Sequence, residues 1–119
     1  MHTYAFEKLD VWQEARKLVA AVYTLTRNYP SDEKFGIVNQ MRRCAVSIPS
    51  NIAEGSARKT SKDQAHFYTM AYGSLMELLN QLILSADLNF ISSEDLINLR
   101  ISIESLSNKI NALRRSTEL

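Results

Sequence analysis

Residues 93–115 read SEDLINLRISIESLSNKINALRR, and the spacing of the apolar positions in this stretch decides the fold. Leu96, Leu99, Ile103, Leu106, Ile110 and Leu113 alternate steps of three and four, the heptad seam of a helix that packs against other helices. Ile97 and Ile101 lie outside that seam. Ser92 or Ser93 suits the N-cap, Glu94 and Asp95 place negative charge in the first turn, and Arg114 and Arg115 place positive charge in the last, each favourable to the helix dipole. A helix with one apolar seam is stable only when that seam is covered, so the rest of the chain must supply partners.

Upstream, Ser61 with Gln64 forms a Ser-x-x-Gln capping box that predicts a helix of roughly 28 residues. Further back, Trp12, Ala15, Leu18, Val19, Val22 and Tyr23 recur at helical spacing, predicting a first helix from Asp10 to about Asn28, stopped by Tyr29-Pro30-Ser31. A second helix is expected to begin between Asp32 and Phe35, to bury Ile37, Met41, Cys44, Ala45, Ile48 and Ile52, and to stop at Gly55. Pro49 removes the amide that would bond to the Ala45 carbonyl. A kink is expected there because the apolar stripe keeps its phase; a restart, with Asn51 and Glu54 in a new first turn, is the other way to accommodate the proline. Four helices joined by short connections imply an all-α, antiparallel, up-down-up-down four-helix bundle, with residues 1–119 as one domain.

The third helix carries more apolar surface than a bundle of this kind needs. Beside Phe67, Ala71, Leu75, Leu78 and Leu82 runs a second stripe, Tyr72, Met76, Leu79 and Ile83, rotated by roughly 90° and widening the apolar arc to about 180°, where about 100° suffices. Self-association is the expected use, with Tyr72, Met76, Leu79 and Ile83 as the expected interface residues; a central helix covered on both sides by its own neighbours is the other way to bury them. Gly73 and Ser74 offer a place for another helix to approach closely.

Composition narrows the function classes. Three glycines and two prolines in 119 residues with 45% hydrophobic content favour long helices around one core over disorder or sheet. The N-terminal residues lack the basic-then-apolar pattern of a secretory signal, no apolar run approaches the roughly 18–20 residues that span a membrane, and the single cysteine, Cys44, builds no disulfide framework. Cytoplasmic residence and no membrane partner are therefore expected. His2 and His66 stand in no metal-ligand spacing, Cys44 lies on an apolar stripe beside Arg43, and the chain has no Gly-x-Ser-x-Gly, Walker or dinucleotide glycine pattern. Neither catalytic nor metal-ligating nor cofactor-binding residues are assigned, no small-molecule substrate is expected, and the chain is read as no enzyme.

The formal net charge is +1, but the charge is unevenly spread. Residues 34–62 carry Lys34, Arg42, Arg43, Arg58, Lys59 and Lys62 against Glu54 alone. Arg42, Arg43, Arg58, Lys59 and Lys62 are candidates to track a phosphate backbone, because such contacts need only exposed cations. The same residues also suit ion pairs with the acidic third and fourth helices, which leaves a protein scaffold without nucleic acid as the competing function.

The stretch Gln40-Met41-Arg42-Arg43-Cys44-Ala45-Val46-Ser47-Ile48-Pro49-Ser50-Asn51-Ile52-Ala53-Glu54-Gly55 resembles the signature of the bacterial four-helix bundle proteins known as 23S ribosomal RNA intervening-sequence proteins, formerly S23 ribosomal proteins. The likeness extends from Phe6-Glu7-Lys8-Leu9-Asp10-Val11-Trp12, through Tyr29-Pro30 and Glu33-Lys34-Phe35-Gly36, to Ala71-Tyr72-Gly73-Ser74-Leu75-Met76-Glu77-Leu78. It implies a left-handed bundle and a homopentameric ring. Related accessory variability determinant proteins of retroelements resemble such pentamers and bind nucleic acid and a reverse transcriptase; they are more basic than this chain. The resemblance thus implies a homo-oligomeric adaptor whose partners are RNA or a nucleic-acid-processing protein.

Overall fold

Each apolar stripe meets a stripe of the neighbouring helix running the other way. The computed structural model describes residues 1–118: α1 (Asp10–Thr26), α2 (Ile37–Ser56), α3 (Ser61–Asp87) and α4 (Ser93–Ser116), with 3-10 turns at Ala5–Lys8 and Ser31–Glu33. Cross-helix contacts fix the directions. Arg42 of α2 bonds to Thr26 of α1. Ser85 and Ser74 of α3 meet Met41 and Ser47 of α2. Arg114 of α4 covers Tyr72 of α3, and Lys109 of α4 pairs with Asp10 and Glu14 of α1. All four neighbouring pairs are therefore antiparallel, in a bundle 44 × 29 × 20 Å.

The core is built from Ala15, Leu18 and Val22, then Met41, Ala45, Ile48 and Ile52, then Ala71, Leu75, Leu78 and Leu82, and finally Ile103, Leu106 and Ile110. Full burial of each large aliphatic side chain contributes roughly 1.5–3 kcal/mol. The α2–α3 pair is the most closely packed and α1–α4 the least. Gly55 is one cause of that closeness, because a Cβ there would stand 2.7 Å from Tyr68 Cε1 and 2.9 Å from Phe67 Cβ. α2 ends at Ser56, one residue past the expected stop at Gly55, and Gly55 is buried as a point of close approach.

Some local expectations are corrected at the helix ends, the restart at Pro49 does not occur, and the Ser92 cap of α4 is as expected. α1 ends at Thr26, whose hydroxyl donates to the Val22 carbonyl at 2.8 Å. A 3-10 turn occupies residues 31–33, so α2 begins only at Ile37, with Gly36 as its N-cap. α2 runs unbroken through Pro49. The Ser50 hydroxyl and the Asn51 amide donate to the carbonyls of Val46 and Ser47, so Asn51 braces the turn around the proline and does not open a new helix. At the start of α3 the N-cap is Thr60, not Ser61. The Thr60 hydroxyl accepts from the Asp63 amide at 3.1 Å, and Gln64 reaches back to the Arg58 carbonyl at 3.1 Å. α3 closes in a Schellman turn with Asn89 at φ 61, the Phe90 amide bonding to the Ser85 carbonyl at 2.8 Å. Ser92 caps α4 by accepting from the Asp95 amide at 3.0 Å.

Candidate nucleic-acid interface

The five candidate cations fall into two groups. Residues 44–56 of α2 separate Arg43 from the turn that holds Arg58, about 20 Å at the α-helical rise. Arg42 is held within its own chain, since its Nε donates to Thr26 Oγ1 at 2.9 Å, its Nη2 to the Tyr23 carbonyl at 3.4 Å, and its guanidinium stacks 4.5 Å from the Tyr23 ring centroid. It ties the C-terminal turn of α1 to α2. Arg43 is exposed beside it, and the two border a shallow groove with Tyr23, Asn39, Val46, Ser47 and Ser50.

At the opposite end of the bundle the second group gains neighbours. Arg58, Lys59 and Lys62 surround the α2–α3 turn and are exposed. Because α4 runs antiparallel to α3, its last turn brings Arg114 and Arg115 to the same end, where they line a cleft with Ala65, Thr69 and Asn111. Arg58 stacks 4.5 Å from the Phe67 ring and lies 3.8 Å from Glu54 Oε2. Arg114 stacks 4.5 Å from Tyr72 and donates to Asn111 Oδ1. Lys59, Lys62 and Arg115 make no ion pair among the described residues. The same end also carries Glu7, Asp10, Glu54, Asp63 and Glu118, while the other end carries Asp32, Glu33, Asp87, Glu94 and Asp95 with Arg27 and Lys34, so acidic groups stand at both ends and the surplus of cations lies at the first.

Trp12, Tyr23, Phe67 and Tyr72 are half-buried at helix edges, and each carries an arginine over its ring, at 5.3 Å for Arg16 on Trp12 and 4.5 Å for the other three. A covered face is not open to a stacking base, so these rings serve packing.

The second stripe of α3 is only partly covered. Tyr72, Met76 and Leu79 are half-buried against the core, and Ile83 is half-buried beside them. Their outer edge continues onto α4 through Ile97 and Ile101, 57% and 64% exposed. Leu79, Ile97 and Ile101 line one shallow groove, with Arg100 and Glu104 at its edges. Gly73 is exposed and a Cβ there would meet nothing within 4 Å, while Ser74 faces α2 through its bond to Ser47. Close approach within the chain therefore runs through Gly55, not Gly73.

Residues 7–112 match the profile of the family described as 23S rRNA-intervening sequence protein. The chain belongs to this family. A crystal structure of a protein of unknown function from the S23 ribosomal protein family of Bacteroides thetaiotaomicron shares the fold, with a TM-score of 0.63 and 19% identity over 90% of this chain and 94% of that one. Comparison with curated proteins finds no match. The family description names no catalysed reaction.

In this intervening-sequence protein the remaining reactive groups have structural surroundings. The Cys44 thiol is buried and donates to the Ser74 carbonyl at 2.9 Å. Burial first, and then the nearby Glu77 carboxylate, push its pKa up to about 12, the reverse of what a nucleophile needs. His2, ahead of the first 3-10 turn, and His66, on α3, are both exposed. No three or more histidine, cysteine, aspartate or glutamate side chains gather to hold a metal among the described residues. Among those residues no helix is long and apolar enough to cross a membrane.

Fold and family were legible from the α2 signature and the apolar spacings. Arg114 and Arg115, which in the sequence complement the dipole of α4, also stand at the basic end of the folded chain. The available signal was the topology itself, since an up-down-up-down bundle returns the end of α4 to the α2–α3 turn.

Proposed function

We propose that this protein is a non-enzymatic, cytoplasmic, self-associating adaptor that holds RNA at the basic end of its bundle. The observation that carries the reading is the gathering of Arg58, Lys59 and Lys62 with Arg114 and Arg115 at one end. Five cations brought together from two chain segments suit a phosphate backbone, and contacts of that kind are tolerant of sequence and sensitive to salt. Self-association concentrates such ends on one side of an assembly, which offsets a net charge of only +1. The partly covered apolar edge of Tyr72, Met76, Leu79 and Ile83 supports self-association, and the family resemblance implies five copies in a ring. In this reading Arg43 is peripheral and Arg42 is structural.

The test is binding to a labelled structured RNA across a salt series, comparing the wild type with a variant carrying Lys59→Ser, Lys62→Ser and Arg115→Ser. Removing three phosphate contacts lowers the slope of log K against log salt by about 2–3, while Arg43→Ser leaves it nearly unchanged. An unaltered slope in the triple variant, or no binding by the wild type at low salt, overturns the RNA reading. A protein-binding scaffold without nucleic acid is the second reading. The exposure of Ile97 and Ile101 beside Leu79 favours it, because such a face recruits protein whether or not RNA binds.

A further inference from the structure

Phe35 is 87% exposed. It sits between the 3-10 turn at Ser31–Glu33 and the start of α2, at the end of the segment Asp32-Glu33-Lys34-Phe35. Its only aromatic or cationic neighbour among the described residues is Lys34, whose Nζ lies 5.6 Å from the ring centroid. An aromatic ring left in water on a protruding connection is an anchor without a socket. The chain also carries a socket without an anchor. Between α3 and α4, Leu79, Ile97 and Ile101 leave a shallow apolar groove floored by the buried Ile103, with Arg100 and Glu104 at its edges.

The two surfaces match in chemistry and in sign. The anchor segment presents carboxylates at Asp32 and Glu33 and an ammonium at Lys34; the groove presents a guanidinium at Arg100 and a carboxylate at Glu104. We propose that Phe35 of one copy inserts into the α3–α4 groove of a second copy, with Lys34 facing Glu104 and Glu33 facing Arg100 across the contact. In this contact each copy uses its anchor on one neighbour and its groove on another, a heterologous arrangement, whereas reciprocal insertion would stop at a two-fold dimer and overturn it. Assemblies therefore extend head to tail until they close. The inference deepens the self-association reading and rests on it. It assigns Leu79 of the surplus apolar edge of α3, with Ile97 and Ile101, the role of receiving surface.

The experiment uses two variants at exposed positions, where the fold tolerates change. Phe35→Ala removes the anchor, Ile101→Glu blocks the groove, and far-UV circular dichroism checks that each remains helical. Solution mass is measured by light scattering for the wild type, each variant, and their equimolar mixture. The wild type is expected to exceed a dimer, each variant alone to fall to a monomer, and the mixture to stop at a dimer. In that mixture the anchor of Ile101→Glu still fits the groove of Phe35→Ala, and no second contact can form. Loss of the anchor raises the dissociation constant by about 30-fold or more. Glu104→Lys weakens assembly by roughly two- to five-fold, and adding Lys34→Glu restores it. Either variant keeping the wild-type mass, or a mixture that stays monomeric, overturns the anchor-and-groove contact and leaves self-association standing. A monomeric wild type overturns both.

Discussion

Changing Gly55 to alanine and Gly73 to alanine adds the same methyl group to two helices, and their surroundings give the two changes opposite signs. Alanine is favoured over glycine within a helix by about 0.8–1.0 kcal/mol. At Gly73 an added Cβ meets nothing within 4 Å, so the whole gain is expressed. At Gly55, one residue from the end of α2, the propensity gain is at most that large. There the methyl would stand 2.7 Å from Tyr68 Cε1, 2.9 Å from Phe67 Cβ and 3.0 Å from Tyr68 Cδ1, against ordinary carbon contacts of about 3.5–4.0 Å. Phe67 Cβ is fixed to the α3 backbone and Tyr68 is buried, so relief requires α2 and α3 to part. Overpacking of this kind costs typically about 1–3 kcal/mol. Subtracting the propensity gain leaves Gly55→Ala destabilised by about 1 kcal/mol and places it about 2 kcal/mol below Gly73→Ala. For a domain of this size that separates the two melting temperatures by roughly 8 °C. The assay is thermal unfolding followed by circular dichroism at one protein concentration, since assembly shifts apparent stability. A Gly55→Ala protein as stable as Gly73→Ala would refute the close approach of α2 and α3.

Two further outcomes follow from the same geometry. Arg42→Met keeps the aliphatic stem but removes the bonds to Thr26 Oγ1 and the Tyr23 carbonyl; urea denaturation should show a loss of about 1–2 kcal/mol, while the salt dependence of RNA binding stays as in the wild type. Cys44, with its pKa raised from 9.0 to about 12 mainly by burial, stays protonated in the folded chain while the unfolded thiol ionises. Stability from this group is therefore complete below about pH 9 and is lost as the pH rises towards 12. Native protein should alkylate far more slowly with iodoacetamide at pH 8 than protein in urea, and equal rates would contradict the burial.

Most of the fold could be read from residue spacing. The seam of Leu96, Leu99, Ile103, Leu106, Ile110 and Leu113 predicted α4, and Ile103, Leu106 and Ile110 are its buried residues. The second stripe of α3 was equally visible, and the half-burial of Tyr72, Met76 and Leu79 matches a surface only partly covered. The helix termini were read less well. Thr60 and Ser61 are both good capping residues, and which of them leaves the helical conformation depends on the turn arriving from Gly55 and Arg58. Gly55 itself reads as a stop when only its backbone freedom is weighed. Its hydrogen-sized side chain matters because Tyr68, thirteen residues further on, packs against it.

Helix number, helix direction and the apolar stripes were determined by the sequence alone, because periodicity, capping and short connections are local properties that a chain carries before it folds. Only the tertiary structure decided which charged and apolar groups stand together. Antiparallel packing returned Arg114 and Arg115 to the turn that holds Arg58, Lys59 and Lys62, and it drew Arg42 onto Thr26 and Tyr23. It also left Ile97 and Ile101 continuous with Leu79. These are meetings between residues distant in the chain, set by how closely each pair of helices approaches.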